Sequence, residues 1–371
     1  MDTERRPVAE GAGGPPQLAA LPDEPFYREP ARGEQSRRWG SILLVLGVVW
    51  LVFAIGSRGS LFGLGLGLVE RSAALPAQSF TATRVVVSGF NDDIELVGWG
   101  EGEIQLEGER HGFGWNGGAA EDALEGVEVL ATQSGDTLTI EVRRPGSLGR
   151  IVGRGPYADL RISIPAGVAV EASTASGELV AEGLRGDLSL GTVSGQIESD
   201  GTAGALAIST TSGDADVRDH RGPLTVSSVS GEIRAGGDLA DPQVETVSGD
   251  VVLEGVRGDV TVSSISGDIA IDAARDARLN LESTSGDISV DGGLAADAES
   301  AISNISGDVT LMLPADAGLR LDASTVSGDL SADLPLRDLV EERRRLSGRI
   351  GDGAAALTIS TTSGDVTLEG E

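Results

Sequence analysis

Seven aspartates recur behind the same two residues. Asp214, Asp250, Asp268, Asp287, Asp308, Asp329 and Asp365 each close a Ser-Gly-Asp triplet. Regularly spaced carboxylates can hold divalent cations. Two unit charges about 5 Å apart repel by roughly 0.8 kcal/mol in water, and a cation between them relieves that. The glycines that mark the same corner recur most often at eighteen residues, twice the nonapeptide period of calcium-binding β-rolls. Against calcium, the Gly-Gly-x-Gly-x-Asp signature of those rolls is absent, and the same position accepts Glu178, Gln196 and Glu232. A calcium-binding β-roll is therefore an alternative reading, and loose cation screening fits the variation better.

Other residues offer less chemistry. There is no Cys, which excludes disulfides and thiol nucleophiles, and His111 and His220 are the only two imidazoles. Paired carboxylates can hydrolyse a glycoside, and some carbohydrate-active enzymes are β-helices. Here acids are so widespread that no pair stands out, so the chain reads as a non-enzyme. His220 takes a position normally held by Leu or Val and reads as a tolerated rim residue. Arg185-Gly186-Asp187 and Arg257-Gly258-Asp259 spell an adhesion tripeptide, but the repeat already accounts for their Gly and Asp. The glycines of "SLFGLGLGLV" (Ser60 to Val69) are no phosphate loop, because a span rather than a strand precedes them.

The element that positions the aspartates is a repeat. Its marker glycines are Gly177, Gly195, Gly213, Gly231, Gly249 and Gly267, eighteen apart, then Gly286, Gly307, Gly328 and Gly364 at wider spacing. Gly348 reads as the mark of one further coil. Such a period signals a solenoid. After Gly249 the apolar residues are Val251, Leu253, Val256, Val260, Val262 and Ile265. Pairs two apart place both side chains on one face of a strand. A second glycine halfway round (Gly186, Gly204, Gly222 or Gly258) marks another corner. Each coil is then two short strands and two corners. It buries too little alone, so coils must stack. Glycine permits the sharp corner, aspartate accepts backbone N–H groups there, and the preceding serines could form a hydroxyl ladder. The expected fold is all-β: a single-stack β-solenoid or β-helix of 18–21-residue coils, preceded by one transmembrane helix.

The organisation follows from composition. Residues 1–38 are rich in Pro, Gly, Ala, Glu and Arg and read as a disordered cytoplasmic tail. Residues 39–56, "WGSILLVLGVVWLVFAIG", carry no charge. Eighteen helical residues rise about 27 Å, enough to cross a bilayer core of about 30 Å. Arg28, Arg32, Arg37 and Arg38 precede this signal anchor, so the positive-inside rule puts everything after it outside the cell. Residues 57–78 read as a linker, 79–171 as a β-strand entry segment and 172–371 as the repeats. "ATQSGDTLTIEV" reads as a hairpin turning at Ser134-Gly135-Asp136, and "GFGWNGG" (Gly112 to Gly118) as a flexible loop. Residues 334–353 interrupt the spacing. They read as a short helix or solvated loop carrying Arg343, Arg344 and Arg345, the alternative being a docking patch for an acidic partner or a neighbouring copy.

Net charge is -30, and Gly contributes 54 residues against 3% aromatics. That acidity excludes nucleic acid as a partner. It leaves the membrane, met through one helix, and a protein or cell-envelope partner. Open solenoid ends are adhesive edges, so self-association through them is a further expectation. No cofactor is expected beyond the calcium alternative.

The repeated "SGD-Φ-x-Φ", with "GD-Φ-x-Φ" at mid-coil, resembles the bacterial "putative adhesin" β-strand-repeat family, a domain of unknown function. "DIELVGW", "DTLTIEV", "ADLRISIPAGVAVEASTASGEL" and "ALTISTTSGDVTLEG" carry the resemblance from about Thr83 to Gly370. It implies an extracytoplasmic module at a bacterial cell membrane, serving as an adhesin-like surface or scaffold or in envelope-stress sensing. It supplies no catalytic residues.

Overall fold

The computed structural model describes residues 69–144, 155–315 and 317–370. The chain divides into two units, Met1–Leu46 and Gly47–Glu371, and all described residues belong to the second. The expected tail and membrane span lie outside the described residues. No described helix is long and apolar enough to cross a membrane.

The repeats form two columns of parallel strands. In the first, Leu179–Glu182 pairs with Ile197–Asp200, and the ladder continues through Ala215, Ile233, Val251, Ile269, Ile288 and Val309. In the second, Leu188–Gly191 pairs with Leu206–Ser209, then with the segments beginning at Leu224, Gln243, Thr261, Asn280 and Ala301. The register advances by one coil per layer: Val251 faces Ile269, and Val262 faces Leu281. Inward residues such as Leu253, Val256, Val260 and Val262 are fully buried. Stacking thus completes a core that no single coil can close.

One inward position departs from expectation. Ile265 is 53% exposed, as are Ile305 and, slightly less, Val229 and Val247 at equivalent positions. Their neighbours Ser264, Asn304, Ser228 and Thr246 are buried instead. Strand parity dictates this: Val260, Val262 and Ser264 point one way, so Ile265 points the other. The hydroxyl column therefore runs inside the stack, from Thr174 through Thr192 and Thr210 to Thr325 and Thr361. The serines preceding glycine, such as Ser266, stay on the surface.

Both ends of the stack are closed. Before the first repeat, the coil Arg84–Ser88 plus Asp93–Trp99 is covered by the strands Thr137–Arg143 and Tyr157–Pro165. Ile104–Gly114 then pairs antiparallel with Tyr157–Pro165 on one side and Val69–Phe80 on the other. The first described strand begins at Val69, so the last ten residues of the expected linker belong to this cap. The expected loop at Gly112 to Gly118 is instead a strand end followed by the helix Gly117–Glu125, capped by the Asn116 side chain. The hairpin at Gly135 and Asp136 is present.

At the other end, residues 334–353 form a hairpin, Arg337–Glu342 with Arg345–Ile350, in place of the expected helix. The second strand runs antiparallel to Leu319–Ser327 and buries Leu346 and Ile350. Gly348 lies within that strand and is no coil corner. The outermost strand carries Arg337, Asp338, Glu341 and Glu342, all exposed. Charge of this kind protects a sheet edge from further pairing.

The coils near this end do not stack in chain order. Ala355–Ser363 and Val366–Gly370 pair with Glu299–Ser306 and Val309–Leu313 on one side. On the other side they pair with Leu319–Ser327 and Leu330–Asp333. The last coil of the chain is thus inserted between two earlier ones.

Candidate functional surface

The corner glycines form a backbone column. A Cβ at Gly249 would lie 2.1 Å from the carbonyl oxygen of Gly231, and one at Gly267 would lie 2.2 Å from that of Gly249. The same approach links Gly177, Gly195, Gly213, Gly286, Gly307, Gly364 and Gly328. In the early coils the threonine hydroxyl caps the corner, Gly195 N–H to Thr192 Oγ1 at 2.9 Å and Gly213 N–H to Thr210 Oγ1 at 2.9 Å. From Gly231 onward the corner changes shape and φ lies at 129° to 155°, a region other residues avoid.

The aspartate column is a set of staples. Asp250 Oδ1 accepts the backbone N–H of Asp268 at 2.9 Å, Asp268 accepts that of Asp287 at 2.8 Å, and Asp287 accepts that of Asp308 at 2.8 Å. Asp308 accepts from Asp365, and Asp365 from Asp329, following the inserted coil. Asp214 accepts from Glu232. Each staple ties one coil to its neighbour through the N–H that the corner leaves free. Among the described residues, no three His, Asp or Glu side chains converge as a metal site. Asp268→Ala is expected to lower stability by about 1–2 kcal/mol and Asp268→Asn by much less, since an amide oxygen still accepts. Thermal melts of both variants check this. The same melts with calcium and with chelator are expected to share one midpoint.

The two Arg-Gly-Asp corners are similarly engaged. Arg257 pairs with Asp238, and Asp259 with Arg278, each at 2.5 Å. Asp187 Oδ1 accepts the Ala205 N–H at 3.4 Å. These exposed ion pairs contribute little stability. In the basic cluster, Arg345 forks onto Asp322 at 2.6 and 3.0 Å, while Arg343 and Arg344 are exposed at the hairpin turn.

His220 is not at a rim. It is 1% exposed and its Nδ1 lies 3.0 Å from Thr202 Oγ1, which in turn meets Ser199 Oγ at 3.0 Å. Burial pushes the imidazole below its usual pKa, the cause outweighing its hydrogen bonds. The folded state therefore takes up this proton less readily than the unfolded state. Stability from the neutral ring is complete above the ordinary value near 6.5 and declines as pH falls below it. Melting midpoints measured downward from neutral pH are expected to fall, and His220→Val is expected to flatten that slope.

A second cluster escaped the sequence. His111 stacks on Tyr157 with ring centroids 4.6 Å apart, and its nitrogens lie 3.0 Å from Glu70 Oε1 and 3.2 Å from Asp159 Oδ2. Burial raises the Asp159 pKa, partly opposed by His111. Beside it lies an open groove lined by Asp93, Glu95, Glu107, Glu109, Glu178 and Glu198 among other residues. Glu70, His111 and Asp159 are 40 or more residues apart in the chain, so no local motif announced them.

A family model, Toastrack DUF4097, matches residues 118–369. The chain belongs to the Toastrack DUF4097 family. Among solved structures, a "putative adhesin" from Parabacteroides merdae is 11% identical, with 81% of this chain and 95% of that one covered, at a TM-score of 0.30. A "putative cell adhesion protein" from Clostridium sporogenes is 11% identical, with 82% and 100% covered, at a TM-score of 0.22. A "putative adhesin" from Parabacteroides distasonis is 10% identical, with 84% and 98% covered, at 0.28. Superposition this loose leaves the Toastrack assignment to the family model. No curated protein matches the chain.

Proposed function

We propose that this Toastrack chain is a non-enzymatic, adhesin-like β-solenoid, held at a bacterial cell membrane by residues 39–56 and displayed outside the cell. The observation that carries this reading is where the repeated polar residues spend their hydrogen bonds. The aspartates join coil to coil, and the early threonines cap corner glycines. The recurring aspartates and threonines thus build the scaffold, and the exposed side chains between them are left to form a contact surface. The uncharged stretch at 39–56 supplies the anchor. Scaffolding and envelope-stress sensing are uses the same surface could serve.

Intact cells carrying the chain with a tag at each end test the placement. Added protease is expected to remove the C-terminal tag and spare the N-terminal one. Protection of both tags until lysis would overturn it. Turnover of a polysaccharide by the purified chain would overturn the non-enzymatic reading.

A further inference from the structure

Charge is divided unequally between the two strand columns. At the first, third and fifth positions after the ten corner glycines stand thirty residues, of which eighteen are acidic and two are Arg. At the second, fourth and sixth positions before those glycines stand thirty more, of which four are acidic and none basic. Two of these four are neutralised in place: Glu171 by Arg84 at 2.7 Å and Asp322 by Arg345 at 2.6 Å. Only Glu245 and Glu282 remain. The rest of this face is Ser, Thr, Ala, Gly, Asn, Gln, Val and Ile, and all but Ala175 and Gly191 are at least partly exposed.

Along its rim runs an aliphatic row. Val229, Val247, Ile265, Ile305 and Val326 are 45–58% exposed and sit in successive layers with Thr284 and Thr362 between them. Large β-branched side chains in register on a neutral face have a cost in water that contact removes.

We propose that this face is the contact surface between two copies of the chain, packed row against row. A chain of net charge -30 repels its own copies everywhere except where its charge is absent. This face meets that condition, and the acidic column lies round the corner from it. Its size is adequate. Ten layers at about 4.8 Å and five residues at about 3.3 Å give roughly 800 Å² per copy, or roughly 1,600 Å² in all, the size of a standard stable interface. A two-fold contact is self-complementary, and Ser263, in the central column of the face near its middle layer, would meet the partner's face in either direction of pairing.

Sedimentation velocity of the full chain in detergent, across a concentration series, tests this. The wild type is expected to dimerise, and added salt to tighten the dimer by screening repulsion. Val247→Glu with Ile265→Glu is expected to weaken it by more than about tenfold while the thermal midpoint stays in place. The absence of cysteine permits a second arm that changes little. Ser263→Cys is expected to be joined by a short bismaleimide, and Ser289→Cys, on the acidic face, is not. A strict monomer at every concentration would overturn the proposal. So would a dimer that survives the double substitution, which would place the contact at residues 39–56 or at the ends of the stack. Equal crosslinking from Ser289→Cys would overturn it as well.

Discussion

Gly249→Ala is expected to cost at least about 3 kcal/mol, the range of a backbone forced from a disallowed geometry against packed neighbours. Two causes combine. The residue sits at φ 131°, and the added Cβ would meet the Gly231 carbonyl oxygen at 2.1 Å. That oxygen is backbone and cannot swing away as a side-chain tip could. Relief requires these two coils to separate at the corner, which strains the bond from the Gly231 N–H to the Ser248 carbonyl. Gly293→Ala is the control: its Cβ would meet nothing within 4 Å, and a change under about 0.5 kcal/mol is expected. Chemical unfolding of the two variants makes the comparison. A midpoint for Gly249→Ala equal to that of the control would show that the column is not close-packed.

Asp92→Ala is expected to cost about 3–5 kcal/mol, as when one partner of a buried ion pair is removed. Asp92 is fully buried. One oxygen accepts the Arg144 guanidinium and the Ala158 N–H at 2.8 Å, and the other accepts the Phe90 N–H at 2.8 Å. Asn91, Asp92 and Asp93 stand where later coils carry Ser, Gly and Asp: Ser176 bonds to Asn91, and Glu178 N–H to Asp93. The residue in the glycine place therefore has a side chain, and that side chain locks the cap. Asp92→Asn keeps the shape and is expected to fall between wild type and alanine. An unchanged unfolding midpoint for Asp92→Ala would mean that the cap adds nothing to the stack.

The coil period and the corner glycines were legible because each is a local requirement repeated ten times. Ile265 was misread because hydrophobicity was weighed above parity. Val260, Val262 and Ser264 already stated that a hydroxyl points in and an isoleucine out. The hairpin at Arg337–Ile350 was read as a helix because Leu336, Leu339 and Val340 are three and four apart, a helical spacing, yet Leu339 and Val340 are exposed. The cap was opaque for a different reason. His111, Glu70 and Asp159 meet through antiparallel pairings between distant strands, and nothing near any of them in the chain signals the others. The neutral face is written in the sequence at fixed offsets, but only the structure shows that those offsets share one surface.

The inserted coil at Ala355–Gly370 sets an order of events. A chain emerging from its N-terminus can lay down coils one after another until Leu313. Leu319–Asp333 must then wait, because the layer on which it rests has not yet been synthesised. Completion of the stack therefore waits for Ala355–Gly370, and a molecule without that segment lacks an interior layer. The inserted coil is the keystone of the stack.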